Sequence, residues 1–286
     1  MSAVAPSRTA PVPAAPAAWR GWLPRWEIGA GLVLVVGFAA LALAGPALFD
    51  VDPRYVRLDA RLLPPLSEGH TLGTDQLGRD LLARLLAGLR WSLATALCAT
   101  LLAFAIGTTL GLLAARGDSW LATAIRQVTA FAQSFPVFVL AVSLVAVLGN
   151  GFVAVVAILG LVTWPVFCRV VIAEAGSLLA REYVLAAGML QMSPWRLYTR
   201  HVLPGLLPSL SVLLAFHFGD MLIAESALSF LGIGAPLGSS TWGSMLSESR
   251  AYLVSAPWLL LVPAAAVVLL VTAANLLGDG LRRRYQ

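Results

Sequence analysis

The sequence contains no lysine, so all 19 of its basic residues are arginine. A Walker-type phosphate loop requires a lysine that reaches the phosphates, and this absence excludes such an ATP site. The chain has only two cysteines, Cys98 and Cys168, both inside long apolar runs. That number and placement exclude a disulfide-rich scaffold. The HExxH and GxSxG signatures are absent, and the three histidines are scattered, which argues against an intramembrane enzyme.

Charged residues are also scarce. They make up 12% of the chain, whereas 59% of its residues are hydrophobic. A soluble domain has about 25% charged and about 45–50% apolar residues. The sequence therefore predicts an integral membrane protein surrounded by lipid. In this setting the net charge of +5 is no sign of nucleic-acid binding, and no metal site is predicted.

Apolar runs long enough to form membrane-spanning helices recur along the chain. We predict an all-α domain over residues 27–286, preceded by a disordered, proline- and alanine-rich cytoplasmic tail over residues 1–26. Arginine-rich ends and short loops favour the cytoplasmic side, so both termini are expected there. The six predicted spans cover about residues 28–49, 91–114, 131–148, 153–171, 206–230 and 258–278.

The polar segment between the first two spans carries balanced charge, with six arginines and six acidic residues over residues 50–90. A segment without positive excess is typical of the exported side. Gly73 and Gly78 permit tight turns, and we expect Asp75 to cap the amphipathic helix that follows. The motif of this outer segment consists of Gly73, Thr74, Asp75, Gly78, Arg79 and Asp80.

A second polar interruption, over residues 181–204, forms what we call the elbow. Its pattern predicts a short helix, a turn at Ser193-Pro194 and a second short helix that ends at Leu203-Pro204. Its arginines indicate a cytoplasmic location. The small residues at 186–188 leave a shallow face that a partner protein can approach closely.

The fifth predicted span contains three ionisable residues: His217, Asp220 and Glu225. At 100° per residue they lie within about 140° of one another on one helix face. Two interpretations remain open. The residues line a substrate route, or they form buried pairs with arginines or with another subunit.

Several motifs together resemble the permeases of the dipeptide/oligopeptide/nickel branch of binding-protein-dependent ABC importers. They are GTDQLGRD at 73–80, REYVLAAGMLQMS and RHVLP in the elbow, LSFLGIG at 228–234, WGSML at 242–246 and NLLGDGLR at 275–282. The resemblance covers about residues 28–282. Two positions in the elbow depart from the family pattern: Leu185 replaces a Glu, and Gln191 replaces a Gly. After Arg282 the family usually continues with Asp-Pro, whereas this sequence has Arg283 and Arg284.

The resemblance implies a type I ABC importer permease fold, in which the elbow provides a coupling helix, the "EAA" loop. It implies a homologous second permease, two ATPase subunits that hold ATP and Mg²⁺, and an extracytoplasmic binding protein. Di- or oligopeptides are the first expected substrates, with nickel or metal-chelates and glutathione-like solutes as alternatives. The implied ATPase-coupling residues are Glu182, Ala186, Ala187, Gly188, Ser193, Arg200, His201, Leu203 and Pro204.

Overall fold

The computed structural model describes residues 24–48, 52–115, 117, 119–189, 192–236 and 238–285, without the side chains of residues 24, 25, 46–48, 185 and 188. The predicted tail lies almost wholly outside the described residues. The described part is mainly helical, with an irregular segment at residues 52–80. Its α-helices are α1 (Pro24–Leu48), α2 (Leu81–Ala114), α3 (Trp120–Ala132), α4 (Val137–Leu148), α5 (Phe152–Leu179), α6 (Glu182–Met189), α7 (Pro194–Leu197), α8 (Leu203–Phe230), α9 (Trp242–Ser249) and α10 (Trp258–Tyr285).

Five helical stretches in the described residues are long and apolar enough to cross a membrane. They contain α1, α2, α5, α8 and α10. A sixth crossing is present if the bent pair α3 and α4 counts as one span. The predicted all-α, multi-span fold is confirmed.

The predicted third span, residues 131–148, is not one straight helix. Helix α3 ends at Ala132 and α4 starts at Val137, and the two are bent by 88° at the break between them. Pro136 stands at the N-cap of α4. Proline lacks a backbone donor and disfavours helix at the residue before it, so Pro136 favours a break between α3 and α4. With 12 residues, α4 alone reaches only about 18 Å.

The second span begins ten residues earlier than predicted, because α2 is a single helix of 34 residues. The amphipathic stretch after the outer motif and the apolar run from Trp91 are continuous. Asp80 caps this helix by accepting a hydrogen bond from the Ala83 amide at 2.9 Å. The N-terminal end of α2 therefore adjoins the polar segment at residues 52–80.

Helices α2 and α5 form the most extensive contact in the bundle. Glycines make the approach possible: a Cβ on Gly107 would overlap the Trp164 carbonyl, and a Cβ on Gly111 would lie 2.7 Å from the Val171 Cβ. On α5, Gly160 meets Leu102 in the same way. The GxxxG pattern of α2 thus serves close packing within the chain, as expected for small residues in membrane helices.

Candidate functional site

The elbow joins the end of α5 to the start of α8, and most of the predicted coupling residues in it are exposed. Five of them are exposed at the protein surface: Glu182, Ala186, Ser193, Arg200 and Pro204. Met189 and Trp195 are 84% and 77% exposed, which is unusual for large apolar side chains. Exposed apolar residues beside arginines are typical of a protein interface.

The three small residues of α6 do not form one accessible face. Ala186 is exposed, but Ala187 is buried beside Val184 on the inner side of the helix. Neighbouring residues on a helix point about 100° apart, so consecutive positions cannot share one surface. The side chains at 185 and 188, and Gln191, lie outside the described residues. His201 and Leu203 are half-buried, and the His201 ring lies 6.1 Å from the Tyr183 ring.

The elbow's second helix does not end at Leu203-Pro204 as predicted. A π-helical segment, Tyr198–Val202, connects α7 directly to α8, and the stretch from Pro194 to Phe230 is long and apolar enough to count as one span. In the π segment the Leu203 amide bonds to the Tyr198 carbonyl. This wider turn accommodates a proline whose missing donor would otherwise interrupt the α-helical ladder.

At the opposite end of the bundle, Asp75 is the centre of the outer segment. Its Oδ1 accepts hydrogen bonds from the amides of Leu77 and Arg79 at 2.8 and 2.9 Å. Its Oδ2 accepts from Arg79 Nε and from Arg84 Nη1, both at 2.6 Å. Asp75 is therefore not the cap of α2, which is Asp80. It instead joins the segment's turn to the first turn of that helix.

Two glycines of the outer motif have backbone conformations that other residues rarely adopt. Gly73 and Gly78 have φ of +83° and +71°. A Cβ on either would overlap a carbonyl oxygen of the same segment, that of Leu63 or Arg57. Thr74, fully buried, donates to the Ala60 carbonyl and accepts from the Leu63 amide at 2.9 Å. The outer motif thus determines how its own segment folds.

Sequence reasoning missed two partners of this motif, Arg84 and Glu248. Arg84 binds both oxygens of Glu248 at 3.0 Å, and Gln76 and Arg79 bind the same carboxylate at 2.8 and 3.1 Å. Burial raises the pKa of Glu248, but the hydrogen bond and charge of Arg84, with contributions from Gln76 and Arg79, hold that pKa below its usual range. No sequence pattern links these residues, because 164 positions separate Arg84 from Glu248.

Helix α9 carries Glu248 and is anchored in the bundle by Trp242. The Trp242 indole donates to the Leu85 carbonyl at 2.9 Å and packs against Gly88 and Phe38. A Cβ on Gly243 would overlap the Ser226 carbonyl on α8. The Trp-Gly pair therefore holds α9 in contact with both α2 and α8, which places Glu248 beside Arg84.

The three ionisable residues of α8 are not brought to one surface. His217 is buried against α5, where Nε2 lies 3.1 Å from Thr163 Oγ1. Glu225 is buried against α2, and accepts hydrogen bonds from Ser92 on α2 and Ser229 on α8 at 2.7 and 2.8 Å. Asp220 alone is exposed. Helix α8 packs against several helices at once, and each neighbour covers a different part of the predicted face.

Neither buried residue of α8 pairs with an arginine among the described residues. The Thr163 hydroxyl donates to the Leu159 carbonyl at 2.7 Å, so His217 acts as the donor to the Thr163 oxygen through Nε2. Asp220 has no hydrogen bond or ion pair with any residue that the structure describes. Of the three, Asp220 is therefore the carboxylate available to a substrate or to another subunit.

Comparison with known proteins shows the family of the chain. The family described as "Binding-protein-dependent transport system inner membrane component" matches residues 107–286. The chain belongs to this family. The glutathione transport system permease protein GsiD of Pectobacterium atrosepticum is 37% identical, over 92% of this chain and 88% of its own length. The dipeptide permease DppC of Alkalihalophilus pseudofirmus is 35% identical, with 88% and 83% covered.

The nickel transport permease NikC of Escherichia coli K12 is 33% identical, and 90% of this chain and 93% of that protein are covered. Among solved structures, a chain of the MetNI methionine ABC transporter in inward-facing conformations has a TM-score of 0.57 at 18% identity. The match covers 71% of this chain and 96% of that one. The fold is therefore that of a type I importer permease, as the sequence predicts.

This binding-protein-dependent permease is the membrane subunit of an ABC importer, and it is a multi-pass protein of the inner membrane. Such a permease is a non-catalytic subunit. It works with a binding protein, an ATPase and a second permease.

Proposed function

We propose that this permease and a homologous second permease form the translocation path for di- or oligopeptides delivered by an extracytoplasmic binding protein. Two ATPase subunits dock on the elbows of the permease pair. The chain itself holds no cofactor, and ATP and Mg²⁺ bind in the ATPase subunits. Both termini are cytoplasmic, on the side of the elbow, and the segment at 52–80 faces the binding protein.

One observation supports the coupling mechanism above all: the helical path from Pro194 to Phe230 is continuous. A displacement of the elbow by the ATPase subunits is transmitted along this helix to the depth of Asp220. The exposed Trp195 and Arg200 lie at the cytoplasmic end of the same path. The elbow and α8 thus act as one bistable lever, which switches the translocation path between an inward-facing and an outward-facing state.

The substrate class rests on the relatives and on one side chain. Relatives are named for dipeptide, peptide and glutathione transport, and Asp220 provides a carboxylate for a peptide amino terminus. The relatives named for nickel transport support a second candidate, the import of nickel or a metal-chelate.

Reconstitution of the whole importer in proteoliposomes tests this proposal. Vesicles that contain both permeases, the ATPase subunits and the binding protein are supplied with a labelled dipeptide or with ⁶³Ni²⁺. ATP-dependent accumulation of the dipeptide, lost when the binding protein is left out, is the expected result. Accumulation of nickel without peptide would favour the second candidate, and accumulation of neither solute would reject both substrate classes.

A further inference from the structure

An apolar crevice lies between α1, α2, α8 and α10, away from the elbow and from the outer motif. Its volume is about 670 Å³, within the range of about 300–1,000 Å³ that is usual for ligand sites. Only two lining residues are polar, Arg90 and Thr100. The rest are alanine, valine, leucine and phenylalanine, among them Val35, Leu43, Leu97, Leu101, Phe218 and Leu277.

The α2 wall of the crevice has the length of one membrane leaflet. Its wall on α2 runs from Arg90 to Leu101, which at 1.5 Å per residue is about 16 Å. The hydrocarbon core of a bilayer is about 30 Å thick, so one leaflet accounts for about half of it. Arg90 lies at the outer end, because α2 begins at Leu81 beside the outer segment.

Arg90 is a charge within α2, at the outer boundary of the predicted span 91–114, without a partner among the described residues. It is exposed, and no hydrogen bond or ion pair joins it to any residue in the described part of the chain. Arginines in membrane spans normally pair with an opposite charge. Side chains on a helix lean toward its N-terminus, so a guanidinium at position 90 can reach toward the outer segment. A guanidinium binds phosphate with two parallel hydrogen bonds.

Helix α1 limits what can enter the crevice. It contacts α10 at Gly31, where a Cβ would lie 2.8 Å from the Leu277 backbone nitrogen, and α2 at Gly45, where a Cβ would lie 3.1 Å from Leu86. The crevice lies between these two contacts. Because α1 is held at both ends, a partner helix about 10 Å wide cannot enter without separating them, whereas a single hydrocarbon chain can.

We propose that the crevice binds a phospholipid of the outer leaflet, with one acyl chain between α1 and α2 and the phosphate held by Arg90. The length, the apolar walls and the single cation at the outer end all match this ligand. The site is separate from the substrate path proposed for Asp220, and it links the peripheral helix α1 to the rest of the bundle.

Photo-crosslinking of the complete importer in nanodiscs tests the site. The probe is phosphatidylglycerol with a diazirine midway along one acyl chain, and labelled residues are mapped by mass spectrometry. Label on Leu97 and Leu101 in excess over the exposed residues of α4 is expected. A diacylglycerol that carries the same diazirine chain should label these residues about tenfold less, since charge-assisted hydrogen bonds account for about a decade in affinity. Equal labelling by the two lipids, or no excess in the crevice, would overturn the proposal.

Variants give an independent test. Ala39→Phe fills the crevice from α1 and should abolish the excess label. Arg90→Gln removes the cation and should lower the label about tenfold, as loss of the phosphate does. Ala40→Phe is the matched control, because Ala40 is exposed and does not line the crevice. Equal labelling of the two phenylalanine variants contradicts the proposal, as does crosslinking of crevice residues to the second permease. If a variant does not assemble, the comparison of the two lipids on the unmodified importer still tests the proposal.

Discussion

The substitution Asp75→Asn should loosen the outer segment with little change in shape. The asparagine carbonyl can still accept from the amides of Leu77 and Arg79, as Oδ1 does now. Its amide group would replace Oδ2, which accepts from Arg79 and Arg84 at 2.6 Å. Two guanidinium donors would then face a donor, and Arg84, which is 2% exposed, would have only Glu248 to balance its charge.

The size of the effect follows from the burial of this pair. Removal of one partner of a buried ion pair costs about 3–5 kcal/mol, and Asp75 is 1% exposed. For a protein of this size, each kcal/mol shifts the unfolding midpoint by about 2–4 °C, so a decrease of roughly 6–20 °C is expected. The loosened end carries α9 and the segment at 52–80, which is proposed to face the binding protein. The binding protein should therefore stimulate ATP hydrolysis by the importer less.

Thermal stability of the purified importer, followed by fluorescence-detected size exclusion, measures this effect. Asp59→Asn is the matched control, because Asp59 lies in the same segment and pairs with Arg57 at the exposed surface. Screened surface pairs contribute little, so this variant should melt like the unmodified importer. If Asp75→Asn melts within 2 °C of the Asp59→Asn control, roughly the shift that 1 kcal/mol produces, the network does not hold the segment as argued.

Further outcomes are expected from the same geometry. The purified chain alone should hydrolyse no ATP, and robust nucleotide hydrolysis by the isolated chain would contradict the division of labour. Membrane-impermeant thiol reagents should label Val254→Cys from outside intact cells and should not label Trp195→Cys. Both positions are exposed, so a thiol at either can react if the reagent reaches that side of the membrane. Labelling of Trp195→Cys from outside would contradict the proposed topology. Asp220→Asn should leave complex yield unchanged but alter uptake, whereas lost yield would indicate a structural pair. Because the pKa of Glu248 is lowered from its ordinary value of 4.5, its contribution to stability should persist at neutral pH and disappear only as the pH falls through that lowered pKa; a Glu248→Gln variant with the same acid sensitivity would contradict this.

The sequence by itself determined the class of the molecule. Apolar runs of the length of a bilayer, the scarcity of charge and the arginine-bearing elbow are local properties, which can be counted along the chain. The glycines at 73 and 78 were also predictable as turn formers, because φ > 0 is a property of single residues. Motif resemblance added the family, which the comparisons confirm.

Tertiary structure alone decided how the polar residues are used. The periodicity of α8 placed His217, Asp220 and Glu225 on one face, but α5, α2 and α9 pack around that face and leave only Asp220 exposed. Asp75 was expected to cap α2, but that helix starts six residues later, at Leu81, with Asp80 as its N-cap. The Asp75 carboxylate binds Arg79 and Arg84 instead. No sequence pattern indicated that Glu248 binds Arg84, because a contact across 164 residues depends on how α9 packs against α2. Charges in a membrane bundle are paired by whichever helices meet, and the order of residues along one helix does not specify those neighbours.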